Sequence, residues 1–150
     1  MWHYQPVKKS RSLENESGRL RPIGTIRSEL KERKGAPKQG GEGAPDAWID
    51  IFPWAAEALY GLTIGDELIV ITWLHEAKRD VFKVHPRSNP NNPLTGVFAT
   101  RSPDRPNPLG LHPVVLREMD GLQLRVGPIE AIDGTPVVDI KPVLPQSHDA

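Results

Sequence analysis

Two arginines in a proline-rich segment are the residues of this sequence best suited to binding an anion. Arg101 and Arg105 lie in the run VFATRSPDRPNPLGLHPVV, which extends from Val97 to Val115 and contains four prolines. Each proline fixes φ and removes a backbone N–H donor, so the loop is stiff and its side chains lose little freedom on binding. Together with the hydroxyls of Thr100 and Ser102, the guanidinium groups suit a carboxylate or a phosphate.

The same loop also allows a purely structural interpretation. Asp104 stands between the two arginines and could pair with Arg101 or Arg105 in a solvated surface turn. Asn107 is held by the same stiff backbone. The sequence therefore leaves both an anion-binding loop and an ion-paired turn open.

The elements that must position this loop are short strands. About seven apolar stretches of strand length are separated by turns, which is typical of an all-β barrel or sandwich. Asp120 and Gly121 predict a tight hairpin, Pro53 to Tyr60 predicts one or two helical turns, and Glu29 to Asp46 predicts a long loop. The predicted strands are Pro22 to Ser28, Trp48 to Phe52, Asp66 to Leu74, Val81 to Val84 as a possible hairpin partner of the preceding strand, a strand ending at Val97 to Ala99, Val114 to Met119, Leu122 to Val126 and Pro136 to Leu144.

Composition excludes several classes of protein. The chain has 150 residues, no cysteine and a formal net charge of zero. Without cysteine there are no disulfides, thiolate metal sites or cysteine nucleophiles, and the histidines lack metal-ligand spacing, so no metal is expected. No signal peptide or membrane-spanning stretch is visible, which predicts a soluble, cytoplasmic protein. Residues 1–20 are polar and without periodicity, and we expect them to form a flexible leader to a domain of residues 21–150.

A net charge of zero means that any contact with nucleic acid must come from a local patch. Basic residues cluster between Lys78 and Arg87, and a second group between Lys31 and Lys38 could join them. Such a cluster either binds phosphates or forms a solvated surface. The candidate substrate contacts are Lys78, Arg79, Lys83, Arg87, Arg105 and Asn107.

Four sequence blocks carry a resemblance to a known family. They are PIGTIRS at Pro22 to Ser28, the shorter block Ala36 to Gln39, GVFATRSPDRPNPLGL at Gly96 to Leu111 and DGTPVVDIKP at Asp133 to Pro142. Through them the chain, from about residue 21 to its end, resembles the TsaA-like family, which includes the TrmO and YaeB-like proteins. The resemblance implies a seven-stranded antiparallel β-barrel with short helical turns and long loops, working as a homodimer.

The resemblance also implies a function. Family members bind S-adenosylmethionine outside the usual methyltransferase fold, and TrmO methylates the N6 atom of threonylcarbamoyl-adenosine beside the anticodon of tRNA. Motif matching places the cofactor contacts on Pro37, Lys38, Gln39, His75, Glu76, Arg101, Leu111, Glu130, Ala131, Ile132 and Asp133.

Methyl transfer to a nitrogen could use a general base. The candidates for this role are Asp133, Asp139, His75 and His112. Asp133 precedes a glycine and could instead be a turn residue that bonds its own backbone. Asp139 and Lys141 alternate on one strand face and could form a structural ion pair.

Two further functions stay open at this stage. Longer members of the family carry an additional C-terminal domain, and this chain ends shortly after the predicted barrel, which suggests a cofactor-binding sensor or adaptor without methyl transfer. The other possibility is a methyltransferase for a small molecule or a protein. Two residues depart from the family pattern, since Glu130 stands where aspartate is usual and Val143 where tyrosine is common.

Overall fold

Strands make up most of the regular structure in the part of the chain that the structure describes. A computed structural model describes residues 18–145 and contains eight β-strands and four short 3-10 helices there, with no α-helix in that range. The all-β prediction is therefore confirmed. The strands are β1 (Gly24–Arg27), β2 (Ala47–Ile51), β3 (Glu67–Trp73), β4 (Lys83–Val84), β5 (Thr95–Gly96), β6 (Leu109–Asp120), β7 (Gln123–Gly127) and β8 (Pro136–Pro142).

Six of these strands close into an antiparallel barrel in the order β1-β2-β7-β6-β3-β8. The remaining two, β4 and β5, pair only with each other, with Lys83 opposite Gly96 and Val84 opposite Thr95. The barrel thus has six strands instead of the expected seven, because these two-residue strands form a separate hairpin outside it. Most of the predicted leader, residues 1–17, lies outside the described residues.

Alternating side chains explain why the barrel strands form. In β3, ELIVITW, every second residue is buried, and Leu68 and Val70 are at most 1% exposed. This period of two is that of a strand with one face against a core. The barrel interior is filled by aliphatic side chains from all six strands, including Ile26, Ile49, Leu68, Val70, Leu116, Leu124, Val126 and Val137.

Two predictions about neighbouring elements are wrong. The segment Val81 to Val84 is not the hairpin partner of β3, which pairs with β6 and β8 instead. Val97–Ala99 is a 3-10 turn and not the end of a strand. Its first residue is buried but Phe98 is 86% exposed, so a run of three apolar residues is not enough to specify a buried strand.

Strand β6 is longer than its sequence suggests. It begins at Leu109 and includes Pro113, opposite Ile69 of β3, whereas the prediction began it at Val114. Pro113 faces outward, and its presence made this part of the strand resemble a loop. The long loop, the helical turns at Pro53–Leu59 and the hairpin at Asp120 to Gly121 form as predicted. No helix in residues 18–145 has the length and apolar character to cross a membrane.

Candidate functional site

A cleft of about 1060 Å³ opens where β3 ends, β6 begins and the chain leaves β7. Its walls come from the loop after β1, the turn after β3, the residues after β4, the arginine-containing loop before β6 and the segment after β7. The barrel strands meet at this end because antiparallel neighbours bring the end of one beside the start of the next. Segments far apart in sequence thereby share one site.

Most of the residues matched to the family's cofactor contacts lie on this cleft. Ten of the eleven line its wall, and Asp133 does not. The ten come from five separate stretches of the chain. They are Pro37, Lys38, Gln39, His75, Glu76, Arg101, Leu111, Glu130, Ala131 and Ile132.

Asp133 instead has structural partners in the segment that follows β1. One carboxylate oxygen accepts the backbone N–H of Ser28 at 3.0 Å, and the other lies 3.3 Å from Lys31 Nζ. The Ser28 hydrogen bond is the largest cause of a lowered pKa of Asp133, and the Lys31 ammonium adds to it. Asp133 therefore ties the turn before β8 to the end of β1.

Asp139 also lies away from the cleft. Its carboxylate is 3.3 Å from Lys141 Nζ, which is the structural ion pair that the alternation on one strand face allowed. Neither of the two aspartates considered as a general base lines the cleft.

The two arginines of the proline-rich loop have different environments. Arg105 donates its guanidinium hydrogens to the carbonyl oxygens of Val97 and Thr100, and its backbone N–H donates to the Lys78 carbonyl. Arg105 thus fixes the shape of the loop. Arg101 is exposed on the cleft wall and makes no side-chain hydrogen bond or ion pair with the rest of residues 18–145.

Asp104 does not pair with either of these arginines. It lies 3.2 Å from Arg33 NH1 of the long loop and accepts the backbone N–H of Lys78 at 2.8 Å. The ion-paired turn of the sequence analysis is therefore wrong in its partners. Asp104 instead joins the loop before β6 to two other cleft walls.

The other basic candidates divide into two groups. Arg79 donates to the Pro106 carbonyl at 2.8 Å and to Asn107 Oδ1 at 3.2 Å. Arg87, on the cleft wall, pairs with Glu42 at 2.6 Å. Since these side chains hold the fold, the exposed lysines Lys78 and Lys83 are the remaining basic candidates for phosphate contacts.

A buried line of polar side chains extends from the barrel interior to the cleft. His112 Nδ1 lies 2.6 Å from Glu130 Oε1, and His112 Nε2 lies 2.7 Å from Thr72 Oγ1. The absence of a side chain at Gly110 leaves space for the Thr72–His112 contact, because a Cβ at position 110 would be 2.5 Å from the Thr72 hydroxyl oxygen. The sequence analysis did not identify Thr72 as a site residue, because a threonine within an apolar strand resembles an ordinary core residue. The available signal was a glycine two residues before a histidine.

The histidines remain the general-base candidates on the cleft. His75 is exposed on its wall, whereas both ring nitrogens of His112 are occupied by hydrogen bonds. Within residues 18–145, no group of three or more histidine, aspartate or glutamate side chains is arranged to hold a metal ion.

Relatives of known name match most of the chain. A family model described as the tRNA-methyltransferase O N-terminal domain matches residues 25–149. A probable S-adenosyl-L-methionine-binding protein of Methanothermobacter thermautotrophicus is 46% identical over 124 residues, which are 83% of this chain and 88% of that protein. The tRNA (adenine(37)-N6)-methyltransferase of Escherichia coli is 39% identical over 132 residues, covering 82% of this chain and 56% of that protein.

Solved structures share the fold. A crystal structure of TrmO from Pseudomonas aeruginosa matches with a TM-score of 0.67 and 32% identity, over 88% of this chain and 58% of that chain. The chain thus spans a little more than half of the Pseudomonas and Escherichia coli proteins. The resemblance to the TsaA-like family is confirmed, and the chain belongs to the family of tRNA-methyltransferase O N-terminal domains.

Proposed function

We propose that this protein is an S-adenosylmethionine-dependent methyltransferase that acts on tRNA, at N6 of threonylcarbamoyl-adenosine beside the anticodon. The observation that carries the proposal is the gathering of ten motif-matched residues on one cleft. The names of the relatives, an S-adenosyl-L-methionine-binding protein and a tRNA methyltransferase, support the same cofactor and substrate. Because tRNA is the proposed substrate, we place the activity in the cytoplasm.

The chemistry of the cleft fits S-adenosylmethionine. A guanidinium binds a carboxylate through two parallel hydrogen bonds, so we assign the methionine carboxylate to Arg101. Glu130, in the segment after β7, also lines the cleft. Its negative charge suits the cationic part of the cofactor. Apolar surface from Leu111 and Ile132 suits adenine. The volume of about 1060 Å³ is at the upper end of ligand pockets, about 300–1,000 Å³, which leaves room for the acceptor base.

The reaction requires positioning more than a strong nucleophile. When bound, S-adenosylmethionine would supply a methyl carbon on a sulfonium, to which the acceptor nitrogen bonds in line with the breaking C–S bond, so that a neutral thioether leaves. The protein contributes by holding the acceptor nitrogen and the methyl carbon in contact. We assign acceptance of the proton from that nitrogen to His75, because it lines the cleft and is exposed there.

Contacts to the tRNA are proposed for two exposed groups beside the cleft. Lys78 and Lys83 supply positive charge for backbone phosphates. Phe98, 86% exposed on the cleft wall, offers a face on which a base can stack. We further propose that the protein works as a homodimer, because the outer face of β3 and β6 presents apolar residues, including Leu109 at 40% exposure.

The test is transfer of a labelled methyl group from S-adenosylmethionine to tRNA carrying unmethylated threonylcarbamoyl-adenosine. We expect label in that nucleoside after digestion. The double variant Lys78→Ala, Lys83→Ala should raise the KM for tRNA, most strongly at low salt, and leave S-adenosylmethionine binding unchanged. Lys141→Ala removes a lysine charge away from the cleft and is the matched control.

Three outcomes separate the possible functions. Label in the nucleoside supports the proposal. Cofactor binding without transfer to any tRNA would instead favour the sensor or adaptor function. Transfer to a small molecule or protein, with none to tRNA, would favour the non-RNA methyltransferase.

A further inference from the structure

In the buried line formed by Thr72, His112 and Glu130, only Glu130 has a role in the proposed chemistry so far. Its histidine and threonine are almost fully buried, at 3% and 0% exposure. Glu130 is partly buried, with a side chain 17% exposed, and lies on the cleft wall. Burial of polar groups is tolerated when each has a hydrogen-bond partner, and this line supplies one to each of the three.

The chemistry of the three groups fixes where the protons lie. An ionised carboxylate only accepts hydrogen bonds, so the contact of 2.6 Å with Glu130 Oε1 requires a hydrogen on His112 Nδ1. In a neutral ring Nε2 then has a lone pair, and the Thr72 hydroxyl donates to it across 2.7 Å. In this arrangement the hydrogen on His112 Nδ1 and the hydroxyl hydrogen of Thr72 each have an acceptor. Glu130 therefore accepts its hydrogen bond from a ring whose other nitrogen is held by Thr72.

Both oxygens of the carboxylate are restricted. Oε1 accepts from His112, and a Cβ at position 40 would lie 3.3 Å from Oε2, so the backbone at Gly40 walls the other side. The same Cβ would lie 2.8 Å from the Pro128 carbonyl oxygen, which shows how closely the two loops approach. A charged group that is already fixed loses no rotamer freedom when it binds a ligand.

We propose that His112 is a positioning residue that holds the Glu130 carboxylate toward the cationic part of the cofactor. The inference rests on the proposed function, because it takes the ligand of the cleft to be S-adenosylmethionine. His112 acts through Glu130 and does not touch the ligand itself. The hydrogen bond at Nδ1 is the functional contact, and the hydrogen bond at Nε2 sets the tautomer.

Two substitutions at one position separate these contacts. In His112→Asn the side-chain nitrogen takes the place of Nδ1 and still donates to Glu130, while the contact with Thr72 is lost. In His112→Gln the amide reaches the place of Nε2 near Thr72, and the contact with Glu130 is lost. Both variants remove the ring, so a merely structural role would affect them alike.

The measurement is calorimetric titration of the whole chain and each variant with S-adenosylmethionine. We expect the dissociation constant of His112→Asn to stay within about threefold of wild type and that of His112→Gln to rise about tenfold or more. In steady-state transfer to tRNA, the same difference should appear in the KM for S-adenosylmethionine and not in kcat. Equal dissociation constants for the two variants would overturn the inference.

A second measurement uses the wild-type protein without ligand, so it does not depend on whether a variant folds. The nitrogen chemical shifts of the His112 ring in the wild-type protein report its tautomer, and we expect the hydrogen on Nδ1. A hydrogen on Nε2 alone would overturn the inference, since an Nδ1 lone pair would then face the carboxylate. If the wild type does not bind S-adenosylmethionine but shows the expected tautomer, the proposed function fails and the positioning of Glu130 stands.

Discussion

Arg101 and Arg105 belong to the same loop but serve different purposes because of what their guanidinium groups contact. Arg105 donates to the carbonyl oxygens of Val97 and Thr100, and so adds a charged donor to the hydrogen bonds that the Thr100 N–H and hydroxyl already give to the Val97 oxygen. Arg101 extends over the cleft. The first arginine of this loop is thus available to a ligand, and the second maintains the backbone that presents it.

Gly110 is a residue of the site at which a single added carbon should lower stability. A Cβ would lie 2.5 Å from Thr72 Oγ1 and 2.6 Å from His112 Nε2. We expect Gly110→Ala to lower the free energy of unfolding by about 1–3 kcal/mol, the usual cost of overpacking. Gly41→Ala, where nothing lies within 4 Å of the added carbon, should change it by less than about 0.5 kcal/mol. Urea denaturation measures both, and equal losses would contradict the account.

Asp133 makes stability depend on pH in acid. The Ser28 hydrogen bond and the Lys31 ammonium lower the pKa of Asp133 from its ordinary value of 3.8. Above that pH the Asp133 carboxylate therefore makes its full contribution to the free energy of unfolding. The contribution is lost as the pH falls through the pKa of the folded state. We expect Asp133→Asn to be less stable than wild type at neutral pH, with a difference that shrinks below about pH 4. A difference that is constant down to pH 2 would show that the charge has no part in it.

At the scale of single residues, motif matching predicted residues that lie together, but the ion pairs of the loop were not predicted. Lys38, Arg101 and Glu130 were placed on the cofactor site by matching, and all three line the cleft. That the Asp104 carboxylate faces Arg33 instead of a neighbouring arginine could not be predicted, because the pairing depends on how two loops approach in space. Sequence distance carries no information on that approach.

Among the larger elements, the proline-rich loop depends on one side chain. We expect Arg105→Ala to lower the free energy of unfolding by about 1–3 kcal/mol, since carbonyl groups lose a charged donor. Amide hydrogen exchange in residues 97–105 should become faster, and S-adenosylmethionine binding should weaken as the loop loosens. Arg101→Ala is the matched control and should leave both stability and exchange unchanged. Faster exchange in the control would contradict the division of roles.

Strands with a local sequence signal were predictable, and elements specified by distant contacts were not. The apolar run of β3 and the Asp120 to Gly121 turn are local signals, and both elements form as predicted. The pairing of β4 with β5 depends on a loop between them that brings Val84 opposite Thr95. The start of β6 was hidden by Pro113, whose outward position is evident only from the register with β3.

For the whole molecule, the outer surface of β3 and β6 has consequences for assembly. The half-buried Ile69 and Ile71 of β3 lie opposite the exposed Pro113 and Leu111 of β6, and together they form an apolar stripe on the outside of the barrel that reaches the cleft at Leu111. Exposed apolar stripes of this kind mark interfaces. We expect light scattering to give twice the mass of one chain, and Ile69→Lys to shift the protein to monomer. A wild-type mass of one chain at micromolar concentration would contradict the homodimer.

The central claim is that the cleft binds S-adenosylmethionine through Arg101, and calorimetric titration tests it most directly. We expect wild-type protein to bind, Arg101→Ala to bind about 1.5–3 kcal/mol more weakly, the range for a hydrogen bond to a charged group, and Lys141→Ala to bind like wild type. An unchanged affinity in Arg101→Ala would contradict the part of the claim that assigns the carboxylate to Arg101. No heat of binding in the wild type, from protein shown to be folded, would contradict the claim itself.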